Sequence, residues 1–305
     1  MIQQRGLFGI AVAPDEFVVV HDSEFKGAQR VAISVFNVAF PNSNEFTAES
    51  RGTSLLGRYA TSAKASVRTT LTGVDRATQQ RIADKAYALF VDQLKAAGFE
   101  VVENEELIRL APEYATWEAL PNFSEGRYGA YVAPTGRALR FLQGDADQRD
   151  TSGMFGRQTS LLRRGFDRPQ AFARSPYIAN AGNLGIIAVT LVVDYGVYAS
   201  TGQVIKAGAG AKVGFKPGLT IAAGNHVDHG TLIEYWGPRS GGFPAAAFLA
   251  KPVYSDREFG TVGSGDTAED VSASVTADPA KFEAAANEVV AIAVPKLVSV
   301  MAAAK

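Results

Sequence analysis

The densest group of side chains able to do chemistry is Asn225-His226-Val227-Asp228-His229. Imidazole nitrogen and carboxylate oxygen are ligands that zinc and other borderline divalent metals accept. His226 and His229, with Asp228 between them, would begin such a site, and His21, followed by Asp22, could add an arm. A metal held there would make the chain a metal-dependent hydrolase centred on His226, Asp228 and His229. Gly224 and Gly230 bracket the cluster as a loop requires, and a solvated polar turn accounts for the same residues. The turn is the reading adopted, and no metal ligand is assigned.

The other chemical signals also have plainer readings. Residues 206–212, KAGAGAK, carry the glycines of a phosphate-binding loop. Such a loop sits between a strand and a helix N-terminus, where free N–H groups face the anion. Here glycine alternates with alanine and runs on into Val213 and Phe215, which is the period of a strand. The same alternation is what one membrane β-strand needs, but a barrel needs many such strands, and this segment stands alone. Arginines 127, 137, 140, 149, 157, 163, 164, 168 and 174 are interleaved with four phenylalanines and could grip an anion or stack on bases. Asp145, Asp147, Asp150 and Asp167 offset them, and a solvated excursion with local ion pairs is the plainer account. No G-x-S-x-G elbow is present, and the pairs Glu105-Glu106 and Glu269-Asp270 lie in polar surroundings that would not tune a carboxyl. No catalytic residue and no cofactor is assigned.

The chain has 305 residues, 47% of them hydrophobic and 20% charged, with a formal net charge of −1. It can bury a sizeable core, and the balanced charge gives no global case for nucleic acid. There is no cysteine, which excludes disulfides, thiolate metal sites and an acylated N-terminal cysteine. No uninterrupted run of about eighteen apolar residues marks a spanning helix. The first thirteen residues are too short and interrupted for a signal peptide.

The elements that must position any site are clearer. Residues 30–40, RVAISVFNVAF, are β-prone with apolar residues on both faces, which predicts a central strand covered on both sides. Residues 63–72 alternate as a half-exposed strand. Ile82, Ala86, Leu89, Phe90, Leu94 and Ala97 predict a helix over 75–97, capped by Asp75 and stopped by Gly98. A short strand at 99–102 and a helix capped by Asn104 should follow. Residues 120–176 have no regular period and read as an irregular Arg/Gly-rich excursion. Strand returns at 185–198, a turn is expected at Ser200-Thr201-Gly202, and a return strand begins at Val204. Residues 243–254 are a further strand candidate, broken by Pro244 and Pro252. Asp278-Pro279 opens a last helix whose stripe includes Phe282, Val289, Ala293 and Leu297, and Pro295 should kink or interrupt it. The whole reads as one α/β domain over 1–305, a mixed sheet with helices packed on its faces.

Three segments, in order, resemble the periplasmic domain of the curli secretion protein CsgG and its relatives, including the N-terminal domain of TolB. They are RVAISVFNVAF at 30–40, ADKAYALFVDQLKAAGFEVVENEEL at 83–107, and VTLVVDYGVYASTGQVI at 189–205. The resemblance covers roughly half of the chain. It implies a CsgG/TolB-N-like α/β sandwich, export to the periplasm with a signal removed ahead of residue 1, and binding or envelope assembly rather than catalysis. The expected partner is a protein or an anionic envelope component, with no nucleic acid and no membrane insertion. The chain departs from the secretion channel in having no cysteine for a lipid anchor, and the channel's two membrane hairpins have no evident counterparts. A CsgG-like outer-membrane pore is therefore the alternative rather than the expectation.

Overall fold

A strand buried on both faces shows no alternation, whereas a half-buried one alternates with period two. The computed structural model follows that rule. It describes residues 4–5, 11–12, 17–20, 29–52, 61–116, 119–126, 129–140, 170–205, 208–223, 231–238, 245–266 and 270–303. The strands are β1 (Gln4–Arg5), β2 (Ala11–Val12), β3 (Phe17–Val20), β4 (Arg30–Pro41), β5 (Ser43–Gly52), β6 (Thr61–Thr72), β7 (Glu100–Val102), β8 (Phe123–Gly126) and β9 (Gly129–Val132). They continue with β10 (Gly185–Ile205), β11 (Gly208–Ile221), β12 (Leu232–Trp236), β13 (Ala245–Leu249), β14 (Val253–Ser255), β15 (Gly260–Asp266) and β16 (Asp270–Ala277). The helices are α1 (Arg76–Ala96), α2 (Asn104–Leu110), α3 (Gln170–Gly182) and α4 (Pro279–Ala303).

The chain is of the α/β class, with mixed sheets and helices. The large sheet runs β1-β2-β3-β13-β12-β10-β4-β9-β8, with β7 beside β4 and with β11 and β14 branching from β10. Its centre is the parallel pair β10 and β4. A second sheet runs β15-β16-β6-β5, with β16 parallel to β6.

Within β4, residues 31–41 are all buried, as their unalternating sequence predicts. Val31 and Ile33 join the core on one face, and so do Phe36, Val38 and Phe40; Ala32 and Val35 join the core on the other. The switch from odd to even positions is a β-bulge. Ile33 faces Ile187 while Val35 faces Ala188, leaving Ser34 as the extra residue. Helices α1 and α4 cover the first face through Ile82, Phe90, Leu94, Phe282, Val289 and Leu297. Helices α2 and α3 cover the second through Leu107, Ile178 and Ala179.

The caps explain where the helices begin. The Asp75 carboxylate accepts from the Thr78 N–H at 2.7 Å, and Asp278 accepts from the Lys281 N–H at 3.0 Å. Gly98 takes φ +82°, the left-handed stop that ends α1 cheaply.

Several expectations are corrected. Asn104 is the first residue of α2, not its cap; that place falls to Glu103, which makes no capping side-chain bond. The stretch from 120 opens with the β8–β9 hairpin, seated on the far end of β4, and α3 carries Pro176 inside it. Short strands anchored by tertiary pairing leave little periodicity to read. Helix α4 runs through Pro295 to Ala303, because Val294, Leu297 and Val298 stay buried on either side of it. It is also long and apolar enough, by length and composition, to cross a membrane, yet half of its apolar stretch is buried in the core.

Candidate functional site: two stacked hairpins

The expected turn at Ser200-Thr201-Gly202 is absent, and β10 continues as one strand of 21 residues to Ile205. Ile205 faces Gly208, and residues 206–207 lie outside the described residues. Cross-strand pairing with β11 overrides the local turn preference of Ser-Thr-Gly. The 208–215 segment is strand, as its alternation predicts. A second hairpin, β5–β6, pairs Ser43 with Thr70 through to Gly52 with Thr61. β5 escaped the sequence reading because SNEFTAESRG is polar, small and poor in β-branched residues.

Register shows that both ribbons are two-faced. On β10–β11, the positions of Tyr198 and Phe215, Ser200 and Val213, Gly202 and Ala211, and Val204 and Ala209 share one face. The other face carries Val197 with Lys216, Ala199 with Gly214, Thr201 with Lys212, Gln203 with Gly210, and Ile205 with Gly208. On β5–β6, one face carries Asn44 with Thr69, Phe46 with Val67, Ala48 with Ala65, and Ser50 with Ala63. The opposite face carries Glu45 with Arg68, Glu49 with Lys64, and Arg51 with Ser62. β5, β6 and β11 therefore alternate, where 63–72 and 206–215 are the alternating segments evident in the sequence.

At its base the β5–β6 ribbon turns Asn44 and Thr69 toward the other hairpin, where they meet Asp194 and Tyr195. Cα atoms of β11 come within 8 Å of those of β6 and β5, so the two ribbons lie against each other. Far from the body the ribbons have no third strand among the described residues. Residues 196–205 pair only with 208–217, a reach of roughly 30 Å at about 3.3 Å per residue. β5 pairs only with β6, and β6 gains β16 only over 66–72.

A buried polar junction joins the hairpins where they leave the body. Asn44 Nδ2 donates to the two carboxylate oxygens of Asp194 at 3.0 and 3.3 Å. The Tyr195 N–H donates to Asp194 Oδ1 at 2.7 Å. Thr69 Oγ1 and the Tyr195 hydroxyl share a hydrogen bond of 2.8 Å. Here the β10–β11 register slips between Asp194 and Gly196, and the Phe215 ring closes over Gly196. Burial pushes the Asp194 carboxyl up to about 7, against the lowering pull of the Tyr195 amide and Asn44.

A second polar cluster seals the bulge in β4. Arg137 donates to the Ile33 carbonyl, and the Tyr114 hydroxyl donates to the Ser34 carbonyl at 2.6 Å. Arg140 is buried, lies 4.2 Å from the Tyr114 ring centre and donates to the Tyr114 carbonyl at 3.2 Å. Its Nε has no hydrogen-bond partner among the described residues. Burial lowers its guanidinium from the ordinary arginine value. Two of the arginines read as a solvated excursion are thus packed against the central strand.

His21, His226, Asp228 and His229 lie outside the described residues, as do 141–169 with most of the arginine-rich stretch. Among the described residues no group of three or more His, Asp or Glu side chains is placed to hold a metal. The sequence reading missed the Asp194–Asn44 pair, for which the only signal was an acid inside an apolar run, VTLVVDY. No protein-family model, curated protein or solved structure matches the chain.

Proposed function

We propose that the chain is a non-enzymatic envelope-assembly module of CsgG/TolB-N-like plan, acting in the periplasm through its two hairpins. The observation that carries this reading is the pair of ribbons whose outer N–H and C=O groups have no third strand among the described residues. Such edges add strands from a partner by backbone hydrogen bonding. The partner is a second copy of the chain, since each copy offers the same free ribbon edges. The periplasmic location and absence of catalysis rest on the resemblance alone.

A second reading is favoured by the reach of β10–β11. A membrane strand needs about 9–11 residues, and the paired stretch 196–205 is of that length. Hairpins from several copies would then close a barrel. Against it, Ser200, Gly202, Ala209 and Ala211 on one ribbon and Ala48, Ser50, Ala63 and Ala65 on the other fill half of the positions on the faces that lipid would cover, and such side chains gain little from burial.

Light scattering without detergent tests the first reading, with liposome flotation beside it. A small oligomer that does not float, and that becomes monomeric when residues 199–214 are replaced by a two-residue Asn-Gly turn, is the expected outcome. A monomeric whole chain refutes edge pairing between copies. A species that needs detergent and floats with liposomes selects the pore.

A further inference from the structure

The two hairpins lie against each other where they leave the body, and two packed ribbons need a fixed alignment. Asp194 supplies it. It sits at the slip in register where β10 leaves the body, and its carboxyl reaches across to Asn44 at the start of β5. We propose that Asp194 is a protonation-controlled latch, the neutral acid holding the two hairpins stacked and the carboxylate letting β5–β6 lift away from β10–β11.

A buried carboxylate is tolerated when a cation or several donors compensate it. Asp194 has two neutral donors, Asn44 and the Tyr195 amide, and no cation among the described residues. The charged and titratable groups on the elements around it are engaged elsewhere or lie along the strands. β5 brings Glu45 and β6 brings Arg68, both exposed and paired with each other at 3.3 Å. β11 brings Lys216, whose ammonium lies 4.3 Å from the Tyr254 ring centre. β4 has no titratable side chain over 31–41, while β9 beside it contributes Tyr131, a buried phenol. β12 contributes Glu234, which faces Ala188 further back along β10. Tyr195 shares its hydroxyl with Thr69. Lys64 pairs in register with Glu49, and Lys212 with Thr201, both well out along the ribbons from the Asn44–Thr69 and Asp194–Thr220 positions.

The carboxyl is pushed up to about 7 by burial, so its charge changes near neutral pH. Ionisation leaves one unpaired charge between two packed layers. Separating the layers admits water to it. This holds for the chain by itself, whatever the hairpins bind.

Hydrogen exchange read by mass spectrometry on dilute protein at pH 5.5–8.5, corrected for intrinsic rates, tests the latch. Protection over 43–52 and 61–72 should fall at least tenfold across that range in the wild type. Asp194→Asn, which keeps the shape of the neutral acid, should hold the low-pH protection throughout. Unchanged protection in the wild type, or the same fall in Asp194→Asn, overturns the proposal. Should that variant not fold, a carbon-13 titration of the wild-type Asp194 carboxyl decides. An inflection within about a unit of 7 supports the latch, and a carboxyl already ionised at pH 5 overturns it.

Discussion

The two halves of β10 obey different rules along one continuous strand. Before Asp194, residues 185–193 lie between layers, with Ile187, Val189, Leu191 and Val193 in one core and Ile186 and Ala188 in the other. Neighbours β4 and β12 pair with it there. Beyond Gly196 it has β11 alone among the described strands. The first half is fixed by burial; the second is held by one neighbour and by stacking on a hairpin whose charged face points away. Packing density, not strand propensity, separates a structural strand from one free to meet a partner.

The largest contrast should come from placing a charge in each half. Val189→Asp puts an unpaired carboxylate in the core and should cost about 3–5 kcal/mol or prevent folding. Gln203→Glu, on the ribbon face that also carries Thr201 and Lys212, should change stability by less than about 0.5 kcal/mol. Equal melting temperatures for the two variants would remove the distinction.

The boundary residue itself should make stability depend on pH. The folded chain keeps a proton on Asp194 that the unfolded chain has lost above about pH 4. Stability should therefore fall as pH rises from about 4 to 7 and level off above. The full shift corresponds to about 4 kcal/mol, and the cost of parting the hairpins caps the loss. Denaturant titrations at pH 5 and 8 should show the fall in the wild type and little of it in Asp194→Asn. A wild type more stable at pH 8 would contradict the assignment.

A smaller effect is expected where the second hairpin meets the body. Gly73 takes φ +87°, and a Cβ there would sit 2.3 Å from the Ala277 carbonyl oxygen. Gly73→Ala should cost about 2 kcal/mol by strain and clash, seen as a lowered denaturation midpoint with the slope unchanged. Smallest of all, Thr201→Ala should leave stability within about 0.5 kcal/mol of the wild type.

The body was legible in the sequence because burial on both sides leaves unbroken apolar runs, as in β4, and helices print a period, as in α1. The caps Asp75 and Asp278 were legible for the same local reason. The ribbons were not. β5 is polar and small, and Ser200-Thr201-Gly202 carries turn chemistry that pairing with β11 overrides. Asp194 and Asn44 are 150 positions apart, so nothing local announces their contact. Arg137 and Arg140 looked like surface charge because the bulge at Ser34, which frees the carbonyl that Arg137 takes, exists only once β4 and β10 are paired.

The claim that the ribbons are the working surface is tested most directly by trimming one. Replacing 199–214 with a two-residue Asn-Gly turn, which keeps the Tyr198–Phe215 pair as its flanks, should leave the melting temperature of the body within a few degrees, while light scattering shows the oligomer of the whole chain reduced to a monomer. A trimmed chain that assembles as the whole chain does would contradict the account.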